Sequence, residues 1–255
     1  MVISTFDLCP LCQKSKNLRR SHIISKFVER LLKGRSLTGA LTKLEKGIRK
    51  KAQSLDNYYL LCKDCEALLG RDEDKFSKYV FWPYWKDGLS RFRTGDWAYR
   101  FALGLCFRTA LHVLRNHQRP IPERMRNILE SSTENWRYIL MRAARPRQHQ
   151  GFYIWAYPIP PNERGPKGTM DVGEFVLTAS KPDVYEKGPL AFVAAHLPGF
   201  LVLGGLFPRA PIPWEPIRIT EDTQVIETKP FPDACLESLF QFLSQDIRGK
   251  LGFTS

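Results

Sequence analysis

Two short cysteine pairs constrain this chain more than any other feature. Cys9-Pro10-Leu11-Cys12 and Cys62-Lys63-Asp64-Cys65 are both CxxC turns, separated by forty-nine residues from Gln13 to Leu61. A CxxC turn presents two thiolates to one ion, and zinc takes four tetrahedral ligands with sulfur at ~2.3 Å. The two pairs therefore predict one Zn2+ held by Cys9, Cys12, Cys62 and Cys65. A closed tetrathiolate keeps no open coordination position, so that zinc is structural. Paired CxxC turns in a chain of this kind read as metal ligands in a reducing compartment rather than as disulfides, and the expected location is cytoplasmic. Cys106 and Cys235 have no neighbouring ligands in the sequence and read as ordinary thiols.

Charge supplies the second constraint. The formal net charge is +13. Between Gln13 and Lys51 stand thirteen Lys or Arg against Glu29 and Glu45, a net +11 in that segment alone. A solubilising surface would mix its signs, whereas concentration beside a metal site predicts a phosphate-facing surface. The candidate nucleic-acid contacts are Lys14, Lys16, Arg19, Arg20, Lys26, Arg49, Lys50 and Lys51. No membrane partner is expected. The N-terminus lacks the basic-then-apolar order of a signal peptide. The apolar stretch from Leu190 to Phe207 is interrupted by His196, Pro198 and Gly204–Gly205, so it reads as two buried strands around a Pro198–Gly199 turn.

The chain is read as α+β in three parts: a cysteine-bearing module over 1–80, a helical region over 81–147 and a β-rich region over 148–255. In the first part, Ser21-His22-Ile23-Ile24 reads as a strand and Phe27–Lys33 as helical. The polar, Gly-punctuated 35–54 segment reads as a flexible excursion. A strand over 56–61 then leads into a helix from Glu66 to Tyr79, with Leu68, Leu69, Phe76 and Tyr79 as its buried side. Trp82–Trp85 reads as an aromatic loop. Asp96 is an N-cap candidate for a helix to about Arg115, and Pro122 fits the first turn of a helix to about Arg142. Phe152–Trp155, Phe175–Leu177, Phe192–Val193 and Phe200–Leu203 read as short strands. A Pro-rich linker covers 158–167, and a last helix spans Asp233 to Asp246.

Several residues stand in a known order around the cysteines. They are Cys9-Pro-Leu-Cys12, Ser21-His22-Ile-Ile, Asn57-Tyr-Tyr-Leu-Leu-Cys62 and Cys62-Lys-Asp-Cys65-Glu66. In this order the chain resembles the HNH endonucleases, and within them a bacterial subgroup with a Ser-His-Ile-Ile strand. The match covers about the first 75 residues. The resemblance implies a zinc-braced, treble-clef-like ββα-metal module. It implies that His22 is the general base, that Asn57 orients it and that Glu66 helps to hold a catalytic Mg2+ or Mn2+. Neutral imidazole suits the first role, and a carboxylate suits a hard cation. Glu73 lies seven residues beyond Glu66, two helical turns on, and is a second candidate ligand. Many HNH proteins carry an Asp before the catalytic His, where this chain has Ser21.

The leading functional reading is thus a metal-dependent nuclease acting on double-stranded DNA, with defence against foreign DNA as the role the resemblance allows. The alternative is a zinc-stabilised nucleic-acid-binding protein without cleavage, favoured by Ser21 and Glu66. A third reading places a protein-interaction surface, or an oligomer contact, in the Trp82–Trp85 loop or the C-terminal part. His112, His117, His149 and His196 have no comparable sequence context and read as bland.

Overall fold

The computed structural model describes residues 6–36, 38–45, 48–52, 54–55, 57–116, 121–142, 151–156, 181–187, 190–206 and 218–229. It mixes helices with antiparallel sheets, as the α+β reading requires. The N-terminal sheet has three strands, β1 (Phe6–Leu8), β2 (Ser15–His22) and β5 (Asn57–Cys62), with β2 in the middle. Between β2 and β5 lie helix α1 (Lys26–Arg35) and a hairpin of β3 (Leu41–Glu45) and β4 (Ile48–Ala52). The flexible excursion expected over 35–54 is therefore largely a two-stranded ribbon. Lys43 stands opposite Lys50 in its register, and strands this rich in lysine lack the apolar alternation by which a strand is read from sequence.

Helix α2 (Lys63–Phe76) starts directly after β5. It runs through a π-helical turn (Ser77–Phe81) into α3 (Trp82–Asp87), so the expected aromatic loop is helical. Pro83 has no amide to return to the Tyr79 carbonyl and its ring crowds that turn, which accounts for the local widening. Gly88, in the left-handed region at φ 65°, ends the run. Leu69 and Phe76 are buried as expected, Leu68 is half-buried, and Tyr79 is corrected to 48% exposed.

Strand β6 (Arg91–Arg93) leads to α4 (Asp96–Asn116), followed by α5 (Glu123–Arg142). From Ala98 to Ala110 nearly every residue of α4 is buried. A helix apolar on all sides belongs in the interior. One side of α4 packs on α2, where Gly104 lets Leu69 approach to 3.2 Å of the position a Cβ would take. Another side packs on a five-stranded antiparallel sheet. The strands of that sheet, in spatial order, are β11 (Arg218–Ile219), β7 (Phe152–Ala156), β10 (Phe200–Gly205), β9 (Leu190–Leu197) and β8 (Lys181–Lys187). Strand β12 (Val225–Glu227) pairs with β6. Strands β7 and β10 are buried along their whole length.

The cysteine module, the helices and the C-terminal sheet share one hydrophobic core. An aromatic seam joins them. Phe76 stacks on Phe101 at 4.0 Å, and Phe200 meets Phe76, Phe81 and Tyr84 at 5.4, 6.0 and 4.9 Å. Within the apolar 190–207 segment, Leu190–Leu197 and Phe200–Gly205 form the β9–β10 hairpin, turning at Pro198–Gly199 as expected. No helix among the described residues is long and apolar enough to cross a membrane. The Trp82–Trp85 segment packs on this hairpin. Tyr84 is buried, Trp85 Nε1 donates to the Pro198 carbonyl at 3.2 Å, and Arg35 lies over the Trp85 ring at 4.0 Å. The expected strand at 175–177, the linker at 158–167, the helix at 233–246, Cys235, His117 and His149 lie outside the described residues.

The hairpin turn generates the first prediction. Gly199 has φ +81°, and an added Cβ would stand 2.5 Å from the Tyr84 ring. Gly199→Ala is expected to cost about 2–4 kcal/mol, from left-handed backbone strain plus overpacking. Urea unfolding of the two proteins measures it, and unchanged stability would show that the turn does not seat on Tyr84.

Candidate metal centre and adjoining histidine site

The four cysteine sulfurs lie within 4.8 Å of one another, with Cys12 and Cys62 sulfurs 3.8 Å apart. Tetrahedral zinc at ~2.3 Å from sulfur needs sulfur–sulfur edges of ~3.8 Å. The cluster is therefore positioned to hold a metal ion such as zinc. Local structure explains the convergence. The first pair sits on a tight turn after β1, closed by Gln13 N–H to Cys9 O at 2.7 Å and by Cys9 N–H to Lys14 O at 3.1 Å, with Gln13 at φ 55°. The second pair straddles the β5–α2 junction, Cys62 ending the strand and Cys65 lying in the first helical turn. The Cys62 amide also donates to Cys9 Sγ at 3.4 Å.

The thiols are unequal in the metal-free state. A hydrogen bond from Cys65, aided by backbone amides, holds Cys9 down to about 4. Its partner Cys65 is pushed up by that same hydrogen bond and by burial, and burial also raises Cys12. One thiolate is thus ready, and the other protons leave as a cation binds.

The register of β2 with β5 sets His22 opposite Asn57, with Ser21 opposite Tyr58. His22 is half-buried, and its Nδ1 is buried with no hydrogen-bond partner, so no bond from Asn57 reaches that nitrogen. Burial lowers the His22 pKa below 6.5 and Lys26 lowers it further, while Glu29 and Glu66 oppose the shift. Glu29 accepts from the Leu55 amide at 3.1 Å and pairs with Lys33 at 2.6 Å, which ties α1 to the segment entering β5.

Ser21 is buried and turned to a structural task. Its Oγ accepts from the Leu61 amide at 3.2 Å and lies 3.4 Å from the Arg19 carbonyl. These bonds sit at the register shift between Arg19 and Arg20, where the ladder is interrupted. A short hydroxyl fits this space, which explains why a serine precedes the histidine.

Glu66 occupies the first turn of α2, half-buried, with Oε1 buried and without a hydrogen-bond partner. Its charge acts on both His22 and Arg108. An uncommitted carboxylate oxygen of this kind fits a hard divalent cation. Glu73 is placed differently, since its carboxylate forms an ion pair with Arg108 of α4. Arg108 Nη1 also donates to the His22 carbonyl at 3.1 Å. The sequence reading missed Arg108, and also Asp72, which is buried and paired with Arg100 at 3.0 Å. The one available signal was an arginine among the apolar residues of the Phe101–Leu111 stretch of α4.

Of the basic residues, Lys14, Arg19, Arg20, Lys26 and Lys51 are exposed. Lys16 lies on β2, and Arg49 and Lys50 lie on β4. Arg20 pairs with Tyr59 across the ribbon, its guanidinium 5.8 Å from the ring centre. His112 packs on Tyr58 at 4.4 Å, and His196 is buried within β9.

Purified protein is expected to carry about one zinc per chain, lost on acidification as the thiolates reprotonate. Cys62→Ser should lower both zinc content and the stability of the N-terminal sheet. Elemental analysis with thermal melting checks this, and a stable zinc-free wild type would refute it. No protein-family model matches this chain, and neither does any curated protein or solved structure.

Proposed function

We propose that this protein is a metal-dependent nuclease of the HNH type that hydrolyses phosphodiester bonds in double-stranded DNA. In this reading its first 80 residues form a ββα-metal, treble-clef-like module braced by structural zinc. The observation that carries it is the juxtaposition made by the cysteine cluster. His22 and Asn57 face each other at the end of one ribbon, and Glu66 opens the helix clamped to that ribbon. The Glu66 charge acts on His22, and each residue keeps a buried atom without a hydrogen-bond partner.

The chemistry follows from these residues. His22, neutral near pH 7, accepts a proton from water as the water oxygen bonds to phosphorus and the bond to the leaving sugar oxygen breaks. Asn57 limits the swing of the ring from the facing strand. Glu66 supplies a hard oxygen for Mg2+ or Mn2+, which when bound neutralises the phosphate and the leaving oxygen. The exposed Lys14, Arg19, Arg20, Lys26 and Lys51 contact the DNA backbone, giving affinity without sequence choice. Defence against foreign DNA fits such a nuclease. One observation favours the second reading, a DNA-binding module without cleavage. Ser21 is committed to the Leu61 amide and offers no ligand where many HNH proteins carry an Asp.

Plasmid DNA incubated with the protein and Mg2+ or Mn2+ should be cut, and EDTA should stop it. His22→Ala is expected to lower the rate by about 10²–10⁴-fold with zinc content intact. The wild-type rate should rise with pH through a midpoint below 6.5 and level off by neutrality, because the base must be deprotonated and burial disfavours its cation. No cutting under any of these conditions, with DNA still bound, would establish the non-cleaving reading.

DNA affinity should fall steeply with salt, by about 0.9 in log K per log unit of salt for each phosphate contact. Arg19→Glu with Arg20→Glu should flatten that slope in a fluorescence-anisotropy titration. A slope unaffected by both changes would remove β2 from the DNA-binding surface.

A further inference from the structure

Arg108 is the only buried Lys or Arg among the described residues, its side chain 4% exposed in the interior of α4. A guanidinium is not tolerated there unless its donors are taken up. Arg108 Nη1 donates to the main-chain carbonyl of His22 at 3.1 Å, and Nη2 forms the ion pair with Glu73, while Nε stays buried without a hydrogen-bond partner. The planar fork of arginine suits this double engagement, because it can point donors at two acceptors on different elements at once. Both acceptors belong to the histidine site. His22 is the last residue of β2, and a strand end frays unless something holds it. Glu73 shares a helix face with Glu66, two turns away.

We propose that Arg108 is a positioning residue for the His22–Glu66 site. It fixes the His22 main chain and holds Glu73 in an ion pair, so that Glu66, in no ion pair among the described residues, is the carboxylate left to meet a divalent cation. The proposal rests on the nuclease reading for its kinetic consequence, but its geometric content can be measured independently. It also makes α4 the link between the site and the C-terminal sheet, since α4 packs against both α2 and that sheet.

The test uses the full chain carrying Arg108→Met together with Glu73→Leu. Replacing a buried ion pair by apolar side chains of similar volume often preserves stability. The double variant should therefore keep its zinc and its melting temperature while losing the anchor on His22. Its kcat on plasmid DNA with Mn2+ should fall on the order of 100-fold with KM little changed, the size expected of misplacement by about 1 Å. The His22 ring resonances, assigned against His22→Ala, should move or broaden at fixed pH in the metal-free protein. Wild-type kcat with an unmoved His22 signal would overturn the proposal, because the pair would then serve the core alone. If the double variant does not fold, Arg108→Lys is measured in the same two ways, and the same results uphold or overturn the proposal. If wild-type protein cuts no DNA, the nuclease reading fails, and the His22 resonances alone decide: displacement upholds Arg108 as the anchor and no change overturns it.

Discussion

Four sulfurs within 4.8 Å join the turn after β1 to the junction of β5 and α2. Closing a loop of this length costs chain entropy, though the cost grows only slowly with length. The compensation is local. Four thiols packed this closely favour a cation that takes up their charge, and Cys9 is already pulled towards the thiolate. Once the junction is fixed, the β2–β5 register and the direction of α2 follow. The facing of His22 and Asn57 and the place of Glu66 are consequences of that closure rather than separate achievements.

The second organising element is α4. It is apolar nearly all round, as suits a helix between α2 on one side and a five-stranded sheet on the other. Against that background Arg108 is costly, and its cost is offset by its bonds to His22 and Glu73 and by the nearby Glu66 charge. The aromatic seam of Phe76, Phe101, Phe200 and Tyr84 ties the same helices to the β9–β10 hairpin. The three segments distinguished by composition thus share one interior.

Much of this was legible in the residues. CxxC spacing reported a four-cysteine cluster able to hold a metal because the geometry of a tight turn is local. Asp96 and Pro122 marked where helices begin to within a residue, Asp96 opening α4 and Pro122 standing just before α5, because residue preferences at a helix start act within one turn. Pro198–Gly199 marked the hairpin because its left-handed backbone needs a residue without a Cβ. The misses have the opposite character. The β3–β4 ribbon was hidden by its lysines, and the Trp82–Trp85 helix by aromatic residues that also suit loops. Tyr79 fell outside the core because the π-helical turn shifts the angular spacing that predicted its burial.

The same division holds at the site. Sequence alone determined the four cysteines of the cluster, the concentration of positive charge and the order of His22, Asn57 and Glu66, since each is a matter of residue type and spacing. Tertiary structure alone decided that Ser21 bonds the Leu61 amide, that Glu73 belongs to Arg108 and that Glu66 keeps a buried oxygen without a hydrogen-bond partner. Those outcomes depend on a helix more than thirty residues further along and on one irregularity in strand pairing. A buried charge is assigned by whichever partner the packing brings within reach, and spacing along the chain does not record that distance.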